Sequence, residues 1–349
     1  MRRTLLVVDG NSLLHRAFHA YAGTGFRVGG EPAWAVRGLL TQLAAAVDRS
    51  CAEAVVVGFD DPERSLRRER WPVYKAQRPD KLPGFVDQLR LAVRTLIRLG
   101  SAVCVPAGLE ADDVLASAAA QAPGHGWQSV LVTSDRDAFA LVDEHTRVLR
   151  ILNGGVDASP MLTPQRLPLV TGVAAHQYRD LAALRGDPSD NLPGVRGVGA
   201  RKAGALLAEF DCAEAMFDDA AAGGQRCREV VGVRLAARLG TAEARDAWEF
   251  NRAVMATHTD LNLELELPSP RPGAGALPLD GSAVAEVFAE FDLFLPSGLR
   301  ALAGVEPRTR PPREADVDPA WRPWRPRVGT RLPALPKPMA PKVVQDALF

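Results

Sequence analysis

Three apolar runs that each break on an aspartate constrain this chain more than any other feature. TLLVV precedes Asp9, AVVVGF precedes Asp60 and SVLVTS precedes Asp135. Helical patterns fill the intervals between the runs. This alternation is the mark of a parallel sheet with crossover helices. Strands are expected at 4–9, 54–59, 102–105, 129–133 and 146–150, and helices near 12–20, 34–49, 84–99, 110–121 and 136–142. In such an open α/β sheet the carboxyl ends of the strands converge on one crevice, where these folds bind ligands. The aspartates therefore meet in space although they lie far apart in sequence.

Nine carboxylates fall into this pattern: Asp9, Asp60, Glu110, Asp112, Asp113, Asp135, Asp137, Asp187 and Asp190. Brought together they repel one another, and unpaired buried charge is too costly to keep without cations. Hard oxygen donors without His or Cys suit Mg²⁺ or Mn²⁺. Two such ions bridged by a phosphodiester make two-metal hydrolysis the chemistry that this pattern implies. Each cluster also has a plainer explanation. Asp9 in VVDGNS reads equally as a capping Asp at a βα turn, where Asn11 or Ser12 could also cap the next helix and fix the turn. Glu110, Asp112 and Asp113 in GLEADDVL lie in a first helical turn, where the helix dipole favours acids. Three acids in four positions exceed what capping needs, and so does the pair Asp135 and Asp137 in TSDRD.

Length and composition place no obstacle in the way. A chain of 349 residues with 47% hydrophobic and 24% charged residues can build more than one globular region. Four cysteines without CxxC spacing imply free thiols in a reducing compartment. The apolar run after the two N-terminal arginines ends at Asp9, too short for a signal peptide or a membrane span, so a cytoplasmic protein is expected. The formal net charge is zero, but it is unevenly spread. Residues 64–81, RSLRRERWPVYKAQRPDK, hold seven Arg or Lys against two acids. A local field of that kind steers a polyanion. Most charge runs are solvated faces. Aromatics interleaved with cations also suit base stacking and phosphate clamping.

The strand signal fades after 163, and helical patterns take over. Among them, LRGDPSDNLPGVRGVGARKAGALLAEF is the most specific segment of the chain. Its GVRGVGARKA reads as a helix-hairpin-helix. Gly194, Gly197 and Gly199 let the backbone approach a phosphate, N–H groups at the following helix start point outward, and Arg196, Arg201 and Lys202 add charge. The competing reading is a Gly-rich loop between packing helices. Such a pattern reads nucleic-acid backbone, not sequence. Further helices are expected at about 227–238 and 241–256, with LNLELEL at 261–267 extended. The globular part closes near 304, and ten of the last 45 residues are Pro, the composition of a disordered or polyproline tail. The expected division is a nuclease core at 1–170, a helical region at 171–304 and a tail at 305–349.

Taken together, VVDGNSLLHRAFHA, VGFD, YKAQRP, EADD, TSDRD and GDPSDNLPGVRGVGARKA resemble the bacterial 5′–3′ exonuclease and flap-endonuclease family over roughly residues 4–300. The resemblance implies a PIN-like parallel-sheet core with a helical arch, followed by a helix-hairpin-helix region. It implies Asp9, Asp60, Glu110 and Asp112 on a first metal and Asp135, Asp137 and Asp190 on a second. Asp112 would be shared, with Asp113 and Asp187 close by. In the arch, Tyr74 would stack near the scissile nucleotide, and Lys75 and Arg78 would contact the phosphate. Carbonyls around Val195 and Val198 would hold K⁺. The implied partners are DNA with a 5′ flap or 5′ end and RNA–DNA hybrids, acted on by a monomer at the nucleoid in primer removal and repair.

The pattern departs from that family at Trp34 and Arg37 in the loop GTGFRVGGEPAWAVRG, which bears on substrate-end preference. No polymerase sequence follows, so a stand-alone nuclease is expected. An RNA-cleaving PIN-type nuclease and a catalytically weak junction-binding module are the rival readings. The final VVQDALF carries Gln345, Leu348 and Phe349 at Q-x-x-L-F spacing, similar to peptides that dock on the sliding clamp. A chance pentapeptide is the competing explanation.

Overall fold

The computed structural model of the chain describes residues 2–78, 82–293 and 296–304. The proposed clamp-binding residues Gln345, Leu348 and Phe349 lie outside them. The strands are β1 (Arg3–Asp9), β2 (Arg27–Val28), β3 (Glu31–Pro32), β4 (Ala54–Gly58), β5 (Ala102–Cys104), β6 (Trp127–Thr133), β7 (Thr146–Arg150), β8 (Met161–Leu162), β9 (Gly186–Asp187) and β10 (Leu192–Pro193). Six of them form one sheet in the order β5-β4-β1-β6-β7-β8, parallel except for β8 at the edge. The chain runs outward from β1 through β4 to β5, then returns to place β6 on the other flank of β1. That reversal puts the switch point beside the end of β1, where the strand-end rule expects a site.

Strands β1, β4 and β6 are buried on both faces, which explains their unbroken Val and Leu runs. Leu6, Val8, Val55, Val57, Val130 and Val132 join one apolar cluster with the helices Gly10–Tyr21, Trp34–Ser50 and Pro83–Arg98. Leu5, Val7, Val56 and Leu131, equally buried, alternate to the opposite face. The helix Ala111–Gln121 packs there against β1, β4 and β6. Among the described residues no helix is long and apolar enough to cross a membrane.

The second region is helical, as its sequence pattern implies, and the described residues all fall in one compact unit. Two expectations need correction. The helix expected at 227–238 is two helices, Gln225–Val231 and Val233–Leu239, because Gly232 between them takes φ +83°. The expected helix at 136–142 is a single 3₁₀ stretch, Asp137–Leu141. LNLELEL joins no strand pair of the sheet. Its Leu263, Leu265 and Leu267 are nonetheless buried in alternation. The indole of the buried Trp127 donates to the Leu267 carbonyl at 2.7 Å.

Candidate active site

Each strand end delivers its acid through a specific local device. Asp9 closes β1 and itself caps the helix Gly10–Tyr21, one Oδ accepting from the Ser12 N–H at 2.8 Å. Of the caps weighed from the sequence, the capping Asp is the one found and Asn11 or Ser12 is not; Ser12 bonds the Ser134 hydroxyl across the crevice at 2.5 Å. The other Asp9 oxygen accepts from Thr133 at the end of β6, at 2.7 Å. Asp60 follows β4 and is held by the Asn11 amide at 2.5 Å and the Ala111 N–H at 3.0 Å. Asp135 follows β6 with an exposed side chain and accepts from the Asp137 N–H at 3.0 Å.

These acids feel one another. Burial raises the Asp9 carboxyl to about 7, with Asp60 and Asp135 adding repulsion against the two hydrogen bonds. Burial likewise lifts Asp112 well above the carboxylate range, helped by Asp135, Asp9 and Glu110. Asp137 rises to about 7 through burial and then through Asp135, Asp187 and Asp190. Asp190 is raised by burial although Lys75 and Arg78 pull it back. Asp9, Asp60, Glu110, Asp112, Asp135, Asp137, Asp187 and Asp190 thus form one electrostatically linked chain across the strand ends. Asp112, Asp137 and Asp190 line one pocket, while Asp135 and Asp187 line an open cleft of about 480 Å³ with Arg136 and Arg185.

Asp113 is set apart. It is fully buried and accepts from the Glu110 N–H at 3.0 Å, the His258 N–H at 2.9 Å and the Arg67 guanidinium at 3.1 Å. Its oxygens close the start of the helix Ala111–Gln121, which is the capping role weighed for this cluster. Glu110 is also fully engaged. Arg67 pairs with it, Lys75 Nζ lies 2.9 Å away and the Tyr74 hydroxyl donates at 3.0 Å. Burial alone would raise Glu110, but Lys75 and Arg67 outweigh it and hold the carboxyl below its usual range.

The base of the expected arch therefore rests on the acids. A short helix, Leu66–Arg70, leads into turns up to Arg78. Lys75 sits at φ +54°, a left-handed backbone rare for a side-chain-bearing residue. Its N–H bonds the Asp190 carbonyl at 2.9 Å. Arg78 reaches the Asp190 carboxylate at 2.5 Å. Tyr74 is only 4% exposed and packs with Leu192 and Val254. The ring expected to stack on a nucleotide is buried here, and its hydroxyl orients Glu110.

In the helix-hairpin-helix, Gly194 has a different task from the one its motif suggests. A Cβ there would stand 2.1 Å from the Arg185 carbonyl oxygen, so this glycine lets the chain approach itself. Gly197 takes φ +88°, and Gly199, with open space around it, precedes the helix Ala200–Phe210. Arg196 and Arg201 are exposed, and Lys202 Nζ donates to the Gly197 carbonyl at 3.2 Å. The side chains of Val195 and Val198 are buried, and the Val195 carbonyl accepts from the Val198 N–H at 2.9 Å.

The donor set suits hard divalent cations. It is all carboxylate oxygen, and its charge is left without enough cations at Asp9, Asp112 and Asp137. Among the described residues no three His, Cys, Asp or Glu side chains are disposed to hold a metal ion as they stand. Glu110, Asp60 and Asp190 spend oxygens on Lys75, Arg67, Asn11 and Arg78. Three contributors escaped the sequence reading. Arg67 was one cation among several in RSLRRER, and nothing in sequence distinguishes it. Asn11 and Thr133 lie two residues from Asp9 and Asp135 in sequence, but their side chains support Asp60 and Asp9, partners that sequence adjacency does not reveal.

Comparison with known proteins agrees with this geometry. A family described as 5′-3′ exonuclease, N-terminal resolvase-like domain, matches residues 4–167, and 5′-3′ exonuclease, C-terminal SAM fold, matches residues 173–273. DNA polymerase I of Mycobacterium bovis is 35% identical over 244 residues, 70% of this chain and 27% of the relative. The thermostable DNA polymerase I of Thermus aquaticus is 38% identical over 214 residues, 61% of this chain and 25% of the relative. The chain thus spans about a quarter of the length of these curated relatives. Among solved structures, bacteriophage T5 5′-exonuclease with bound zinc shares the fold at TM-score 0.59 and 19% identity, over 83% of this chain and 97% of that one. A T5 flap endonuclease complex with DNA and metal ions does so at 0.57 and 18%, over 86% and 100%.

Proposed function

Because the chain belongs to the 5′-3′ exonuclease family, we propose that it is a metal-dependent, structure-specific 5′–3′ exonuclease and flap endonuclease. Its substrates would be DNA with a 5′ flap or 5′ end and RNA–DNA hybrids. Its work would be primer removal, Okazaki-fragment processing and repair at the nucleoid, as a monomer. The observation that carries this reading is the crowding of acids at the strand ends, where the carboxyls of Asp9, Asp112 and Asp137 are raised by burial and by repulsion from neighbours that include Asp135.

Asp9, Asp60, Glu110 and Asp112 would hold one Mg²⁺ or Mn²⁺, and Asp135, Asp137 and Asp190 the other, with Asp187 nearby. Bound there, the ions would supply the Lewis acidity and the activated water that phosphodiester hydrolysis needs. The protein's own groups do the rest. Asn11 and Thr133 orient Asp60 and Asp9. Lys75 and Arg78, paired with Glu110 and Asp190, would contact a phosphate entering the cluster. By exchanging partners they would offset charge on its equatorial oxygens. Tyr74 acts through Glu110. Gly197, Gly199, Arg196, Arg201 and Lys202 would grip duplex backbone without reading sequence, and carbonyls around Val195 and Val198 would hold K⁺.

A 5′-labelled flap oligonucleotide incubated with and without Mg²⁺ tests this directly. Release of the flap that depends on Mg²⁺ supports it. Binding without cleavage under every divalent metal would favour a junction-binding module instead. The terminal residues Gln345, Leu348 and Phe349 would dock the sliding clamp. Deleting 345–349 should abolish co-elution with the clamp and leave cleavage of a free flap unchanged.

A further inference from the structure

The helix Val233–Leu239 lies directly against the hairpin tip. Leu235 Cδ1 is 3.4 Å from where a Cβ on Gly197 would sit, and Arg238 Nη1 is 3.3 Å from the same point. The Arg238 guanidinium donates to the Arg196 carbonyl at 3.4 Å. Arg234 is exposed and precedes Arg238 by four residues, so both lie on one helix face. Like charges at that spacing cost a few tenths of a kcal/mol, and neither is ion-paired among the described residues. Three other arginines of the same helical region have acidic partners, Arg226 with Glu209, Arg245 with Asp218 and Arg252 with Glu214, whereas Arg179, Arg185 and Arg228 are in no ion pair among the described residues. Arg196, Arg201, Arg234 and Arg238 make no ion pair among the described residues. An uncompensated row of guanidinium groups continuous with a backbone-reading hairpin suits a polyanion.

We propose that Arg234 and Arg238 form a second duplex-contacting track, extending the phosphate grip of the hairpin along the helix Val233–Leu239. The ligand is the sugar-phosphate backbone of double-stranded nucleic acid. This rests on the nuclease reading for its substrate class but on different residues and a different observable. Arg238 contributes from a fixed position over the hairpin main chain. Arg234 adds charge about one turn earlier, about 6 Å along the helix axis.

The test is fluorescence anisotropy of a labelled duplex with the full chain in EDTA, titrated across salt concentrations. Arg234→Ala and Arg238→Ala should each lower the slope of log affinity against log salt by about one. The double variant should lower it by about two, on unrelated base sequences alike. Arg238→Lys should keep the slope. Arg226→Ala, which loses an arginine already paired with Glu209, should not change it. Melting temperatures check folding, and Arg234, whose side chain makes no hydrogen bond or ion pair among the described residues, keeps the test sound if Arg238→Ala is unstable. A wild-type slope in Arg234→Ala overturns the proposal. So does a loss confined to single-stranded DNA. A wild-type protein that binds duplex with these effects but never cleaves a flap would overturn the nuclease reading and leave the track standing.

Discussion

Asp9 carries three jobs in one side chain. It ends a strand, caps a helix and shares a crowded crevice. Asp9 and Asp137 are both raised to about 7 in the fold, against an ordinary value near 3.8. The folded protein therefore holds these protons more tightly than the unfolded chain. Their contribution to stability is fully present below the ordinary carboxylate range and is lost as pH rises from about 4 to about 7. Metal-free protein should melt at falling temperature across that window and level off above it. Mg²⁺ should restore stability above pH 7, and Asp9→Asn should flatten the fall; thermal melts from pH 4 to 8 measure all three. Lys75→Ala should lower the single-turnover rate more than substrate affinity, since its charge acts where negative charge accumulates. Rapid-quench cleavage at saturating enzyme distinguishes that from mere steering. Asp9, Asp60 and Asp135 were legible in the sequence because each follows a strand-like apolar run. The partners that set their electrostatics were not. Whether Arg67 or Arg68 turns inward depends on the short helix Leu66–Arg70 and its seating beside Ala256, to whose carbonyl Arg67 donates at 2.9 Å.

Among the elements, the sheet was the easiest to read and the hairpin the most misleading in detail. Strands buried on both faces leave a continuous signature, so five of the six main-sheet strands fall where expected; the edge strand β8, of two residues, leaves too short a run to detect. The glycines of GVRGVG look alike in sequence but are needed for different reasons. Gly194→Ala would drive a methyl group against the Arg185 main chain and should cost several kcal/mol or prevent folding. Gly199→Ala meets nothing within 4 Å and should melt within about 0.5 kcal/mol of wild type. Chemical denaturation of the pair separates a self-packing glycine from a surface one. The break of the expected 227–238 helix at Gly232 was hidden by apolar periodicity on both sides of it.

At the scale of the whole molecule, a sheet with one switch point collects acids from β1, β4, β6 and the helix Ala111–Gln121. The residues 186–190 bring Asp187 and Asp190 to the same place from the helical region, and the run 67–78 covers it with cations. Long-range convergence of this kind has no local sequence signal, and only the joint set of motifs made it legible. The central claim is that the strand-end carboxylates serve divalent ions used for cleavage. Single-turnover cleavage of a 5′-flap substrate, measured against Mg²⁺ concentration for wild type and Asp135→Ala, tests it most directly. Metal-dependent cleavage by wild type, abolished in Asp135→Ala while flap binding persists, is the predicted result. Undiminished cleavage by Asp135→Ala, or by wild type in excess chelator, would contradict it.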